Sequence, residues 1–336
     1  KEAPAGDIVG IAGVSNIEIG QTITDPSNPE ALAQTVIEEP TLKVTVGPNT
    51  SPFAGREGKF VTGRQVGERL GREKEINLGL RISEGEGGAY TVIGRGELHL
   101  AVLLETMRRE GYEIQVSKPE VILKDKEEPY EEVTVDVPDE FVGVVTTEMG
   151  KRRATLVDMA ADGRGSTRIV YEISQRNLMG ARSILLTQSK GTILFNSIGL
   201  GYKPMGEALP RMRNGVLVAF ENGKTTTYSL NTTQERGTLF VGPGVEVYTG
   251  MIVGLNTRDS DIDINVVKGM ALTNMRQSFK NIRPPLTPPV EMTIEQALDF
   301  IEDDELIEIT PHNIRLRKKL LTHLDRVRQQ RKQHHE

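Results

Sequence analysis

Gly94-Arg95-Gly96-Glu97-Leu98-His99-Leu100-Ala101-Val102-Leu103-Leu104-Glu105-Thr106-Met107-Arg108-Arg109-Glu110-Gly111 sets the frame of the fold. Leu100, Leu103, Leu104 and Met107 stand at i, i+3, i+4 and i+7, the apolar stripe of an amphipathic helix over residues 96–110. Gly111 supplies the stop, because a glycine just past the last turn takes the left-handed conformation without steric cost. Outward from this helix the pattern alternates between strand and helix. Thr41–Val46 is alternating and β-branched-rich, a strand. Residues 62–74 carry Val66 and Leu70 one turn apart, a helix. Glu75–Ile82 and Ala89–Ile93 read as strands around the turn Glu84-Gly85-Glu86-Gly87-Gly88, and Tyr112–Val116 with Glu120–Leu123 closes the unit. The order βαββαβ is the ferredoxin-like split βαβ arrangement.

The same order returns downstream. Glu132–Val137 is a strand, and Asp139–Gly150 is a helix for which Asp139 is the expected N-cap. Ala154–Ala160 and Thr167–Ile173 are strands around Asp162-Gly163-Arg164-Gly165; residues 175–188 are helical and Thr192–Leu200 is the last strand. Residues 206–290 change character to short strands divided by turn signals, with a clear strand at Ile262–Val267. Pro284-Pro285-Leu286-Thr287-Pro288-Pro289 is a stiff connector. Thr293 and Gln296 form a capping box ahead of an apolar face of Ile294, Ala297, Leu298 and Ile301. Leu306–Ile309 and Ile314–Leu316 form a hairpin, followed by a basic helical tail from Lys318. At the other end, Asp7–Val14 and Gln21–Thr24 read as two strands, too few for a stable sheet, so the chain is expected to begin inside a β domain. The fold class is therefore α+β multidomain: two ferredoxin-like βαββαβ domains (38–125 and 128–204), a β-rich C-terminal domain with helices (205–336), and a β stub with linker over 1–30.

Composition narrows the function. Hydrophobic residues make up 37% and charged residues 26% of the 336, the balance of a soluble globular protein. No apolar run reaches the ~20 residues of a membrane span. Cysteine is absent, which removes disulfides and thiolate metal sites. Aromatics are 4%, too few for base-stacking platforms of the RRM kind. The net charge of −6 hides an asymmetry. Residues 291–308 carry eight acids and no base, and residues 311–336 carry eight Lys/Arg against two acids. Such blocks mark interaction surfaces, or they pair with each other; both readings stand at this point.

Catalytic motifs are missing. Gly223-Lys224-Thr225 ends like a P-loop, but the first glycine of that motif would fall at Val218, so no phosphate cradle forms. Asp7-Ile8-Val9-Gly10 spells a short GTPase motif with no P-loop before it. Gly94-Arg95-Gly96 precedes a helix as in dinucleotide sites, yet His99 occupies the third glycine position. Glu97 there is favoured by the helix dipole. The five histidines, His99, His312, His323, His334 and His335, show no metal spacing. The expectation is no catalytic residue, no metal and no cofactor in this chain. Nucleic acid is suggested by residues 268–283, which carry Lys268, Arg276, Lys280 and Arg283 and no acid. Cations of this kind neutralise phosphates, and Asn274 and Gln277 offer hydrogen bonds to bases or sugars. The basic tail adds Arg315, Arg317, Lys318 and Lys319 as candidate RNA contacts.

The helix stretch and its leader, Gly94 to Leu100 with Met107-Arg108-Arg109-Glu110-Gly111, resemble the third domain of translational GTPases of the elongation factor G class. Four further stretches narrow the resemblance to the BipA/TypA family: Asn49-Thr50-Ser51-Pro52-Phe53 with Gly55-Arg56-Glu57-Gly58-Lys59-Phe60-Val61-Thr62; Gly215-Val216-Leu217-Val218; Leu272-Thr273-Asn274-Met275-Arg276; and Thr293-Ile294-Glu295-Gln296-Ala297-Leu298 with Asp303-Asp304-Glu305-Leu306. The resemblance implies that the two ferredoxin-like units correspond to the family's third and fifth domains, that residues from 205 onward form its distinctive C-terminal domain, and that residues 6–24 are the end of its second-domain barrel. It implies a monomer that docks on the ribosome, at rRNA near the A site and the peptidyl-transferase centre and at the tRNA acceptor end. The work is ribosome assembly and stress-adapted translation, in the bacterial cytoplasm or an organelle stroma and with no membrane. GTP and Mg would belong to a GTP-binding domain outside this chain. Asn274 and Arg276 lie in the family's loop toward the peptidyl-transferase centre; Met270-Ala271 stands where the family often has a basic pair. The alternative is a protein-interaction module with no RNA role.

Overall fold

The computed structural model describes residues 2–14, 20–33, 39–207, 209, 213–269 and 285–333. The first ferredoxin-like unit consists of β1 (Leu42–Pro48), α1 (Gly63–Ile76), β2 (Arg81–Glu84), β3 (Tyr90–Gly94), α2 (Glu97–Glu110), β4 (Ile114–Ser117) and β5 (Glu120–Val121). Its strands lie in the antiparallel order β4-β1-β3-β2, with β5 extending the β4 edge of β1. The helix over the sheet is α2. Leu100, Leu103, Leu104 and Met107 are all buried, and Gly111 ends the helix at φ 97°, where a side chain would be strained. α1 starts with a capping box, Thr62 with Gln65, and runs to Ile76. The strand expected over Glu75–Ile82 therefore begins only at Arg81; the run Glu73-Lys74-Glu75 favours helix, and its apolar residues are too sparse to pair.

The second unit has β6 (Glu127–Pro138), α3 (Val142–Lys151), β7 (Thr155–Ala161), β8 (Ser166–Ser174), α4 (Gln175–Leu178), α5 (Ala181–Gln188) and β9 (Leu194–Pro204), in the sheet order β7-β8-β6-β9. Val133, Val135 and Val137 alternate inward on β6 and meet Val145, Met149 and Leu185 in a separate core. Two expectations fail here. Asp139 is not the cap of α3: a single 3-10 turn, Asp139–Phe141, intervenes, and the Asp139 carboxylate accepts from Thr167 Oγ1 at 2.8 Å. The helix over 175–188 is broken at Gly180, which sits at φ 72°.

The remaining elements are β10 (Val216–Ala219), β11 (Gly223–Lys224), α6 (Thr227–Thr233), β12 (Gly237–Leu239), β13 (Glu246–Val247), β14 (Met251–Asn256), β15 (Ile262–Ile264), α7 (Ile294–Phe300), β16 (Glu305–Ile309), β17 (Ile314–Lys318) and α8 (His323–Gln333). They do not stand apart as the turn-rich sequence implies. β16 pairs antiparallel with β4, Ile307 opposite Val116 and Ile309 opposite Ile114, so one sheet runs β15-β10-β14-β17-β16-β4-β1-β3-β2. α7 begins at the Thr293/Gln296 capping box, and its buried Ile294, Ala297, Leu298, with the following Ile301, join the α2 core. The first unit and the C-terminal region thus share a hydrophobic core. A second cluster, around Tyr248 and Val253, draws only Phe53 from the first unit.

Residues 2–14 and 20–33 form turns and extended, exposed chain with no strand among the described residues. The two strands expected there lack a partner strand, and an unpaired strand has no ladder to hold it. The strand expected at Ile262–Val267 is paired only over β15. The tail helix begins at His323, not at Lys318, which lies within β17.

Candidate nucleic-acid interface

A fixed hub lies beneath the surface on which the basic residues sit. Glu113 is fully buried and the loop 49–58 is wrapped around its carboxylate. Asn49 Nδ2 donates at 2.9 Å and Gly55 N–H at 2.7 Å to Oε1, and Gly58 N–H at 2.9 Å to Oε2. A methyl group on Gly58 would stand 2.4 Å from Glu113 Cβ, so glycine is required at that position. The same loop reaches β17. Arg315 Nη1 lies 2.9 Å from Glu308 Oε1, its Nη2 binds Glu57 Oε1, and its guanidinium stands 5.3 Å over the Phe53 ring. Tyr248 Oη donates to Glu308 Oε2 at 2.7 Å. Burial opposes the charge on Glu57, but bonds from Thr310, Asn313 and Arg315 outweigh it and hold its carboxyl below the usual range. Burial also opposes the Arg315 cation, and Glu57 and Glu308 more than restore it.

This hub absorbs three of the basic residues picked from the tail. Arg315 is paired as described. Arg317 is 3% exposed; its Nη2 donates to Gln115 Oε1 at 2.6 Å and to Thr50 Oγ1 at 2.9 Å, and burial lowers its pKa. Lys318 is 1% exposed and binds Asp261, Asp304 and Glu305 at 2.6, 2.8 and 2.8 Å. Burial works against its charge, and these three carboxylates raise its pKa nonetheless. Glu305 is shared with Arg213. The acidic and basic blocks therefore pair with each other across β16 and β17. Arg315, Arg317 and Lys318 are corrected from candidate RNA contacts to fold-holding residues, because β17 is an interior strand between β14 and β16. Glu305 is fully buried.

Lys319 and Lys268 remain exposed. Lys268 is the last residue but one before 270–284, where Asn274, Arg276, Lys280 and Arg283 lie outside the described residues, as do Met270 and Ala271. The two feet of that segment are held at opposite ends of α6. On one side the Lys268 carbonyl accepts from Thr226 Oγ1 at 2.7 Å and Ser229 Oγ at 2.6 Å, while Asn265 Oδ1 accepts from Lys268 N–H at 3.0 Å. Thr226 is also the N-cap of α6. On the other, Gln234 Oε1 accepts from Thr287 N–H at 3.2 Å and its amide reaches the Pro285 carbonyl at 3.5 Å. The described residues on both sides of 270–284 are thus anchored to one helix.

α8 docks beside the same stem. Arg326 binds Asp263 on β15 and donates to the Leu320 and Leu321 carbonyls at 3.1 and 2.8 Å; His323 Nδ1 is 2.5 Å from Asp263 Oδ2. β15 leads directly into Asn265 and Lys268, so the helix and the loop foot share one strand. Arg328 is 76% exposed with Asp325 at 3.7 Å, and Arg331 and Lys332 are exposed. These three belong to the basic tail expected to bind RNA but were not among its named contacts; their exposure on a strongly polar helix marks them. Among the described residues no cluster of His, Asp or Glu holds a metal, and no helix is long and apolar enough to cross a membrane.

Comparison with known proteins adds family information. Residues 214–323 match the TypA/BipA C-terminal domain and residues 125–212 the elongation factor G C-terminus. Large ribosomal subunit assembly factor BipA of Salmonella typhimurium (strain LT2) is 46% identical over 99% of this chain and 56% of its own length. Its counterpart in Escherichia coli (strain K12) is 46% identical over 98% of this chain and 55% of its length. That of Synechocystis sp. is 45% identical over 94% and 54%. The chain thus spans about half the length of the curated relatives it matches.

Proposed function

Because the chain belongs to the TypA/BipA family, we propose that it is the ribosome-docking portion of a large-subunit assembly factor. In this reading the basic loop and tail helix bind rRNA, and GTP hydrolysis with its Mg is supplied by a domain outside these residues. The observation that carries the reading is that β15 leads to Lys268, beside 270–284, and also anchors α8 through Asp263 to His323 and Arg326, the helix that carries the exposed Arg328, Arg331 and Lys332. Their cations have no buried acid to neutralise them, unlike those of β17. Cations of this kind gain affinity for RNA by releasing counterions from phosphates. The net charge of −6 elsewhere disfavours indiscriminate adhesion to polyanions. Asn274, Arg276, Lys280 and Arg283 complete the proposed contact set, directed at rRNA near the A site and peptidyl-transferase centre and at the tRNA acceptor end. Function in ribosome assembly and stress-adapted translation, in the bacterial cytoplasm or an organelle stroma, follows from the same reading.

The alternative of a protein-interaction module drew on the opposed charge blocks. Their pairing inside the sheet through Arg315, Lys318, Glu305 and Glu308 takes part of each block off the surface, while Asp303 and the cations of α8 stay exposed. The test is co-sedimentation of the chain with isolated ribosomal subunits. Binding to the large subunit over the small one supports the proposal; equal binding to both, or capture that survives nuclease treatment of the subunits, refutes it.

A further inference from the structure

Among the described residues Phe220 is the one aromatic side chain that is exposed, at 52%. It lies outside all three hydrophobic clusters. The residue follows β10 directly, and its backbone is held on both sides. The Phe220 N–H donates to the Ile264 carbonyl on β15 at 3.0 Å, and the Phe220 carbonyl accepts from Thr249 Oγ1 at 3.1 Å. The Thr249 N–H in turn donates to Asn222 Oδ1 at 2.7 Å, which closes the turn after β10. Backbone order that exists in the free chain does not have to be created on binding.

That turn is seated between the two parts of the basic interface. On one side Gly223 meets the chain leading to 270–284: a methyl group on it would stand 3.2 Å from Val267 Cγ1, next to the exposed Lys268. On the other, Gly250, whose N–H donates to the Ala219 carbonyl at 2.9 Å, meets the lead into α8: a methyl group there would stand 2.6 Å from Leu321 Cα. The register of β10 with β15 sets Val218 opposite Asp263, the residue that holds His323 and Arg326 of α8. Lys224, at the far end of the turn, is exposed, and Glu221 is the acid beside the ring. Cations so placed draw phosphates to this surface. A flat apolar ring among them offers a face on which any base can stack. Within a duplex both faces of a base are already covered, so the base that stacks is an unpaired one. The aromatic content of 4% rules out a platform of several rings but leaves room for this single one.

We infer that one unpaired rRNA base stacks on the Phe220 ring when the chain docks, an inference that rests on the docking reading above. The ring and the cations then contribute in separable ways. Neutralised phosphates release counterions and set the slope of affinity against salt. Stacking releases none, so it raises the affinity by the same factor at every salt concentration and leaves the slope alone.

The absence of native tryptophan makes the test direct. Phe220→Trp puts the sole indole of the chain at this position, and a base stacked on it quenches its emission. The parent chain, Phe220→Trp and Phe220→Ala are titrated with protein-free large-subunit rRNA over a salt series, with filter retention reading affinity and emission reading stacking. The expected result is that Phe220→Trp binds as the parent does and loses emission in step with binding. Phe220→Ala should bind about tenfold more weakly at every salt concentration, with the slope of the parent. Full emission from Phe220→Trp on bound rRNA, or equal affinity of Phe220→Ala and the parent, overturns the inference and leaves the docking reading standing. A loss in Phe220→Ala that appears on intact large subunits but not on protein-free rRNA assigns the ring to a ribosomal protein and overturns it as well. A folded parent chain that binds neither rRNA nor subunits at low salt removes the docking reading, and the inference with it.

Discussion

Replacing Arg315 with alanine separates the two roles that a basic strand can have. In the structure its guanidinium is the link between Glu57 on the 49–58 loop and Glu308 on β16, with only 11% of the side chain exposed. Removing one member of a buried ion pair leaves the other charge uncompensated, at a cost of about 3–5 kcal/mol. Glu308 would retain Asn49 Nδ2 at 3.2 Å and Tyr248 Oη at 2.7 Å, and Glu57 would retain Thr310 and Asn313. Those partners place Arg315→Ala at the lower end, about 3 kcal/mol. Urea denaturation followed by amide exchange reads the loss at β16 and β17, while β6 and β8 of the second unit, with their own core, keep their stability. RNA affinity of the folded variant, and its slope against salt, should equal those of the parent. A stability loss under about 1 kcal/mol combined with a shallower salt slope would refute this reasoning and return Arg315 to the RNA surface.

Further expectations concern other parts of the molecule. Gly58→Ala forces a methyl group into Glu113 and should cost at least about 2 kcal/mol, detected as a lowered denaturation midpoint; a neutral result would mean that the 49–58 loop shifts freely. Leu104→Ala in the core shared by α2 and α7 should cost about 2–5 kcal/mol and lower the stability of α7 together with α2, whereas a loss confined to α2 would show that the two do not unfold together. Glu105 is held at a pKa of about 2, first by its hydrogen bond from Arg108 and then by that from Arg109. Its contribution is present above the ordinary carboxylate range and is lost as pH falls toward 2. Because the pair is largely solvent-screened, Glu105→Gln should cost under about 1 kcal/mol near neutrality and nothing near the acid limit, as measured by denaturation at the two pH values. Arg328→Glu with Arg331→Glu should weaken rRNA binding severalfold without changing the melting temperature; unchanged affinity would reduce α8 to a solvated end.

The elements legible in the sequence are those whose signals are local. The stripe of α2, its Gly111 stop, the capping box at Thr293 and the β16–β17 hairpin around Thr310-Pro311-His312-Asn313 each depend on residues within a few positions. Both βαββαβ orders follow from the same kind of signal. What joins them does not. The pairing of β4 with β16 links Val116 to Ile307, and no periodicity in either strand names its partner. The same gap misplaced the basic residues. Ile314-Arg315-Leu316-Arg317-Lys318 alternates like a half-exposed strand, and only the distant Glu57, Gln115 and Asp261 reveal that its cations point into the protein. For the acidic and basic blocks, mutual pairing was one of two readings open to the sequence, and the geometry selects it. Glu97 was read as a dipole-favoured first-turn acid; its hydrogen bond from the Gly180 N–H depends on how the second unit packs against α2, which no local pattern encodes.

The central claim is that affinity for the ribosome resides in the exposed cations of the loop stem and tail helix rather than in the buried ones of β17. The most direct test is the slope of log affinity for purified large subunits against log salt, for the parent chain and for Lys268→Ala combined with Arg328→Ala. The account predicts steep salt dependence in the parent and a slope smaller by about 0.7–0.9 for each phosphate that the variant no longer neutralises, with the fold intact. A folded parent chain that fails to bind at low salt, or a slope that the two substitutions leave unchanged, would contradict it.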